Sequence, residues 1–149
     1  MTDLNLLQEP ALSKCKAFIS KLNEQKIPYK VIETLRTEAV QRAYFAQGRE
    51  PLTVVNIKRR SAGLWEIGET ENNRKITWTL ESKHLKGLAI DIVPVLDGKI
   101  PWNINSKEIA RLYMRIGLIG ESCGLSWGGR WTPIDKFGIG KDAPHFEEA

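Results

Sequence analysis

Only two histidines occur in the 149 residues, and each stands in a short stretch dense with reactive side chains. His84 lies in Ser82-Lys83-His84-Leu85-Lys86-Gly87-Leu88-Ala89-Ile90-Asp91, and His145 in Asp142-Ala143-Pro144-His145-Phe146-Glu147. A fold that brings the two stretches together makes a metal site from His84, Asp91 and His145. Two imidazoles and one carboxylate suit zinc and leave a fourth position open. Structural zinc sites are normally closed by four protein ligands, so a three-ligand set points to catalysis. A histidine and an aspartate seven residues apart are common by chance, and His84 alone could simply cap a turn. Small residues at Ser82, Gly87 and Ala89, with the only other histidine in the second stretch, favour the metal.

The local pattern says how the ligands would be carried. His84 falls on a loop before a strand, Asp91 on the strand itself, and His145 on a neighbouring strand of one sheet. Gly87 allows the tight backbone between the first two ligands. Asp142, three residues before His145, would reach a water on the metal and act as its base. Taken alone, Asp142 would read as a turn residue ahead of Pro144. Asp135, in the same long loop, is a second carboxylate that could take that role. Arg36 would be the positive group that stabilises an oxyanion; in isolation it would read as a surface arginine pairing with Glu33 or Glu38.

Apolar spacing of three and four predicts a helix over 11–25 from Leu12, Cys15, Phe18, Ile19 and Leu22. A strand over 29–34 follows, then Thr37 as N-cap of a helix over 38–47. Another helix is expected over 52–62, a polar loop over 66–74, and strands over 76–80 and 88–95. Asp97-Gly98 marks a turn. Ser106 caps a helix over 107–122 with Ile109, Leu112, Tyr113, Ile116 and Ile119 inward, before a strand from Leu125 to Trp127. The sum is an α+β chain: one domain over 1–149, a small antiparallel sheet flanked by helices, with 1–26 packed on it.

Composition excludes several classes. The charge of +4 is interspersed, and Lys58-Arg59-Arg60 is the largest basic cluster, so no nucleic-acid partner is expected. Attraction to an anionic envelope fits the same charge. Cys15 and Cys123 make no disulfide framework and read as small buried residues. No apolar run spans a membrane, and Met1-Thr2-Asp3-Leu4 lacks a signal-peptide pattern. A monomer made and kept in the cytoplasm unless something else lets it out is the expectation.

Ser82-x-His84-x-x-Gly87-x-Ala89-x-Asp91 followed by Asp142-x-Pro144-His145-Phe146 resembles the zinc peptidases of the D-alanyl-D-alanine carboxypeptidase and dipeptidase superfamily, which shares its fold with the hedgehog signalling domain. Arg36, Gln41, Tyr44, Ala46-Gln47-Gly48-Arg49 and Gly124-Leu125-x-Trp127-Gly128-Gly129-x-Trp131 are similar to its phage-type L-alanyl-D-glutamate endopeptidase branch. The resemblance implies zinc on His84, Asp91 and His145, Asp142 as base, and Arg36 as the substrate and oxyanion arginine. It implies Ser82, Gln41, Trp127 and Trp131 around a peptidoglycan stem peptide. D-alanyl-D-alanine cleavage is the alternative, and a metal-stabilised wall-binding module without turnover another. Retention of both Asp142 and Arg36 argues against the last. The Trp131-to-Asp142 connection is longer than that branch leads one to expect.

Overall fold

In chain order the elements are α1 (Ala11–Glu24), β1 (Tyr29–Glu33), α2 (Glu38–Ala46), α3 (Leu52–Ser61), α4 (Glu69–Asn72), β2 (Ala89–Pro94), α5 (Lys107–Ser122), β3 (Leu125–Trp127) and β4 (His145–Glu148). The computed structural model describes all residues from 1 to 149. They group into two compact units, 1–35 with 86–149, and 36–85.

The first unit is built on an antiparallel sheet of order β1-β2-β4-β3. β1 and β2 are sheet neighbours although the whole second unit lies between them in sequence. Side chains alternate across a strand. In β2 and β4, Ile90 stands opposite Phe146 and Asp91 opposite His145. One face therefore carries Ile90, Ile92 and Phe146; the other carries Asp91, His145 and Glu147. The apolar face receives the helices. Phe18 of α1 meets Phe146 edge-on at 4.7 Å, and Phe146 in turn stacks with Trp127 at 6.3 Å.

Helix α5 shows why apolar spacing misjudges its inner stripe. Tyr113, Ile116 and Ile119 are buried as expected, but Ile109 and Leu112 are only half-buried. Their places are taken by Ala110, Gly117 and Gly120. A Cβ at Gly120 would overlap the Phe146 ring, so two aromatic rings set the helix down on its smallest residues. Cys15 is fully buried, which pushes its thiol up to about 12, while Cys123 is only half-buried; both are free thiols.

The second unit has a small apolar core of Ala43, Ala46 and Val55. Side-chain amides stitch the rest. Asn56 accepts from the Ile67 N–H at 2.9 Å and donates to the Ile67 carbonyl at 3.0 Å. Gln47 donates to the Glu71 carbonyl and Asn72 to the Glu50 carbonyl. Thr37 caps α2 by accepting from Val40 N–H, as its position ahead of the helix leads one to expect. Two expectations fail here. The polar stretch 66–74 contains the short helix α4, whose Glu71 carboxylate accepts from the Gly68 N–H at 2.9 Å. Residues 76–80 form no strand: no strand pairs with them, and Ile76, Trp78 and Leu80 stand half-exposed or more. The alternation is real, but its apolar side faces water.

Candidate metal centre

Position in the sheet makes two of the ligands neighbours. Asp91 and His145 are direct partners across β2 and β4, where facing side chains lie within reach of each other. His145 Nδ1 sits 3.1 Å from Asp91 Oδ1, and its Nε2 sits 2.8 Å from Glu147 Oε1. Burial of the ring pulls its pKa down. The hydrogen bonds to Asp91 and Glu147, with the charges of Asp91 and Asp142, more than offset that and raise it to about 9. The Asp142 carboxylate therefore lies close enough to act on the imidazole's charge.

His84 is carried by the 3-10 turn Lys83–Lys86, which leads straight into β2. Ser82 shapes that turn: its Oγ accepts from the His84 N–H at 3.2 Å and its carbonyl from the Leu85 N–H. The ligand atoms of His84, Asp91 and His145 all lie within 4.8 Å of one another. Zinc bonds of about 2.0–2.2 Å put tetrahedral ligands roughly 3.4 Å apart, so the set closes on an ion with a shift of about an ångström. Both imidazoles are buried, His84 at 1% exposure and His145 at 7%. Borderline nitrogen and oxygen donors, three in number and mostly shielded from water, fit zinc.

Asp142 is positioned by ties to the end of β3. Its N–H donates to the Gly128 carbonyl at 3.3 Å, and its own carbonyl accepts from His145 N–H at 3.1 Å. Trp127 Nε1 donates to the Ala143 carbonyl at 2.7 Å. A Cβ at Gly128 would overlap the Asp142 carbonyl oxygen, so the glycine is required by this close approach. Gly128→Ala is expected to displace Asp142 while leaving His84 on its turn and Asp91 and His145 on their strands. Turnover should fall by about 10²-fold, as for a misplaced catalytic group, with zinc content by elemental analysis unchanged.

The remaining candidates divide. Asp135 is exposed, and its Oδ1 accepts from the Phe137 N–H at 2.8 Å and the Ile139 N–H at 3.0 Å, so it builds its own loop. That loop is also tied at its base by Lys141 N–H to the Trp131 carbonyl. Trp131 lies beside the site, its ring 5.2 Å from the His145 imidazole. Trp127 does not line a groove: at 1% exposure it is a core ring, wedged between Phe146 and the Ala143 carbonyl. Gln41 is not open to a substrate either. It is fully buried, its Oε1 accepting from Arg36 Nη1 at 2.7 Å and its Nε2 donating to the Thr79 carbonyl at 2.7 Å. It braces Arg36, whose guanidinium also lies 5.0 Å from the Tyr44 ring centre. Gln41→Leu leaves the Thr79 carbonyl and the Arg36 guanidinium each short of a partner inside the fold. The expected cost is about 1–3 kcal/mol in thermal unfolding. A lowered kcat/KM at constant zinc content would accompany it.

Glu147 was missed by motif reading. Its signal was available: two residues beyond His145 on a strand places it on the same face. Holding the second nitrogen of a ligand histidine fixes the ring and its tautomer.

Residues 75–148, which contain all three ligands, match the family described as D-alanyl-D-alanine carboxypeptidase. Among solved structures, the chain is similar to the Serratia marcescens L-Ala D-Glu endopeptidase ChiX, at 22% identity and TM-score 0.58 over 98% of this chain and 83% of that one. The LD-carboxypeptidase LdcB gives 15% and 0.61, over 95% and 58%. The vancomycin-resistance D,D-pentapeptidase VanY, solved with Zn(II), gives 15% and 0.53, over 95% and 72%. No curated protein matches the chain. At these identities the structural likeness speaks for the fold, and the family match speaks for the residues on it. Over residues 75–148 the chain thus matches the D-alanyl-D-alanine carboxypeptidase family, and with a histidine–aspartate–histidine group on that fold it is a zinc metallopeptidase acting on peptidoglycan.

Proposed function

We propose that the chain is an endopeptidase that cuts the L-alanyl-D-glutamate bond of peptidoglycan stem peptides, acting as a monomeric lysis enzyme of a phage or prophage. The observation that carries the chemistry is the three-ligand group with Asp142 beside His145. The choice of bond is supported by the Arg36-to-Arg49 and Gly124-to-Trp131 runs and by the likeness to the Serratia marcescens endopeptidase along nearly the whole chain. Cleavage of D-alanyl-D-alanine is the second reading, favoured by the description of the matched family.

Zinc on His84, Asp91 and His145 would polarise the scissile carbonyl and bring the pKa of water towards 7. Asp142 takes the proton of the attacking water and delivers it to the leaving amine nitrogen, so one carboxylate serves both steps. Glu147 keeps the His145 ring in one orientation through Nε2. Arg36, held by Gln41, carries the positive charge that the resemblance assigns to the oxyanion.

The test uses purified zinc-loaded protein on bacterial cell walls, following new free amino groups with and without chelator. Endopeptidase action releases peptides beginning with D-glutamate, whereas carboxypeptidase action releases free D-alanine, and mass analysis separates them. No release by zinc-loaded protein would refute both.

A further inference from the structure

Residues 36–85 carry a surface the peptidase chemistry does not use. Six of the chain's ten exposed large apolar side chains fall there: Val54, Ile57, Trp65, Ile76, Trp78 and Leu80. The same stretch carries a net charge of +3 out of the chain's +4, with nine lysines and arginines against six glutamates. Exposed apolar groups scattered singly need no explanation, but contiguous ones mark interaction sites.

Part of this set is contiguous. Phe45, Ala46, Ile57 and Leu80 line a cavity of about 590 Å³ whose other walls include the cations Arg42, Arg49 and Lys58. Arg49 joins the cavity to Trp78: its guanidinium lies 3.8 Å from the Phe45 ring centre and 5.6 Å from that of Trp78. The Lys75 ammonium stands 5.4 Å from Trp78, whose ring is 70% exposed. The acids present do not cancel the cations. Glu50 pairs with Lys58 and Glu38 with Arg42, both in exposed ion pairs of little strength.

We propose that this surface adsorbs the protein, without crossing, onto anionic phospholipid bilayers, with Trp78, Ile57 and Leu80 entering the headgroup boundary and Arg42, Arg49, Lys58 and Lys75 meeting lipid phosphates. Charge complementarity selects this occupant. A tryptophan flanked by cations is suited to the boundary between acyl chains and headgroups. Basic side chains are drawn to anionic leaflets within a Debye length. Acyl chain ends can fill an apolar floor that water wets poorly. A neutral sugar polymer would leave the cations without a counter-charge. Adsorption of this kind would hold the enzyme at the inner boundary of its wall substrate, yet it does not depend on the zinc chemistry.

The experiment is co-sedimentation of the zinc-loaded protein with phosphatidylglycerol vesicles and with phosphatidylcholine vesicles. Binding to the first and not the second is expected, weakening as salt rises towards about 0.5 M. Trp78→Ala with Ile57→Glu replaces two exposed side chains, so folding is retained and is checked by thermal melting. Its partition should drop about tenfold or more, with hydrolysis of soluble stem peptides unchanged. Equal binding to both vesicle types, no binding, or a double variant that sediments like the parent would overturn the proposal. So would binding that these substitutions abolish on peptide-free glycan strands or an acidic peptide but not on vesicles.

Discussion

Asp142→Ala is expected to retain stoichiometric zinc and lose turnover by about 10²–10⁴-fold, the range for removal of a general acid–base group. The carboxylate is the only unliganded acid of its loop that acts on the His145 ring, and backbone bonds to Gly128 and His145 hold its segment in place. Asp135→Ala is the control. Its carboxylate is engaged with the Phe137 and Ile139 N–H groups, so losing it should cost about 1 kcal/mol of stability and leave zinc-saturated turnover near the parent's. If instead Asp135→Ala abolished cleavage and Asp142→Ala did not, the base would be misassigned.

Zinc should raise the melting temperature of the parent and leave that of His145→Ala unchanged. A ligand present at roughly a thousand times its dissociation constant stabilises by about 4 kcal/mol. For a chain of this size that is a shift of about 8–16 °C. The variant also leaves Asp91 and Glu147 facing each other without the ring between them, so its metal-free form should melt below the metal-free parent. Comparing the increment on zinc addition, rather than absolute values, separates the two effects. An equal increment in both proteins would remove His145 from the ligand set.

The pH dependence has opposite signs with and without metal. His145 titrates at about 9 in the fold against an ordinary 6.5. In chelator, its contribution to stability is fully present below about 6.5 and is lost as pH rises through about 9. Zinc needs the neutral ring, so its apparent affinity should fall as pH drops below about 9. Melting curves across that window, with zinc and with chelator, read both trends.

The reading of the sheet came from local pattern. Tyr29–Glu33 and Ala89–Pro94 alternate or run apolar as strands do, and Asp91 is the single interruption in an otherwise buried β2. Thr37 and Ser106 announce their helices because a side-chain acceptor before an apolar stripe satisfies an orphan N–H. Residues 76–80 show where such reasoning ends. Period-two alternation says that Ile76, Trp78 and Leu80 share a side, but not which way that side faces. In the fold, no neighbouring strand offers them a ladder, and Gln41 takes up the Thr79 carbonyl instead.

The same division runs through the site. Residue type and spacing alone picked out His84, Asp91 and His145, the group the fold brings together, because the chain has two histidines and donor chemistry leaves few other combinations. Tertiary structure decided the roles around it. Trp127 went to the core because its ring packs on Phe146 and closes against Gly117 and Gly129. Gln41 became a brace once its amide was enclosed with Arg36 and Thr79. Asp135 was set apart from Asp142 because its carboxylate is taken up by the Phe137 and Ile139 N–H groups of its own loop. Glu147 gained its hold on His145 only because β4 places both on the face away from the helices. Burial and partner choice depend on segments far apart in the chain, and no window of sequence contains them.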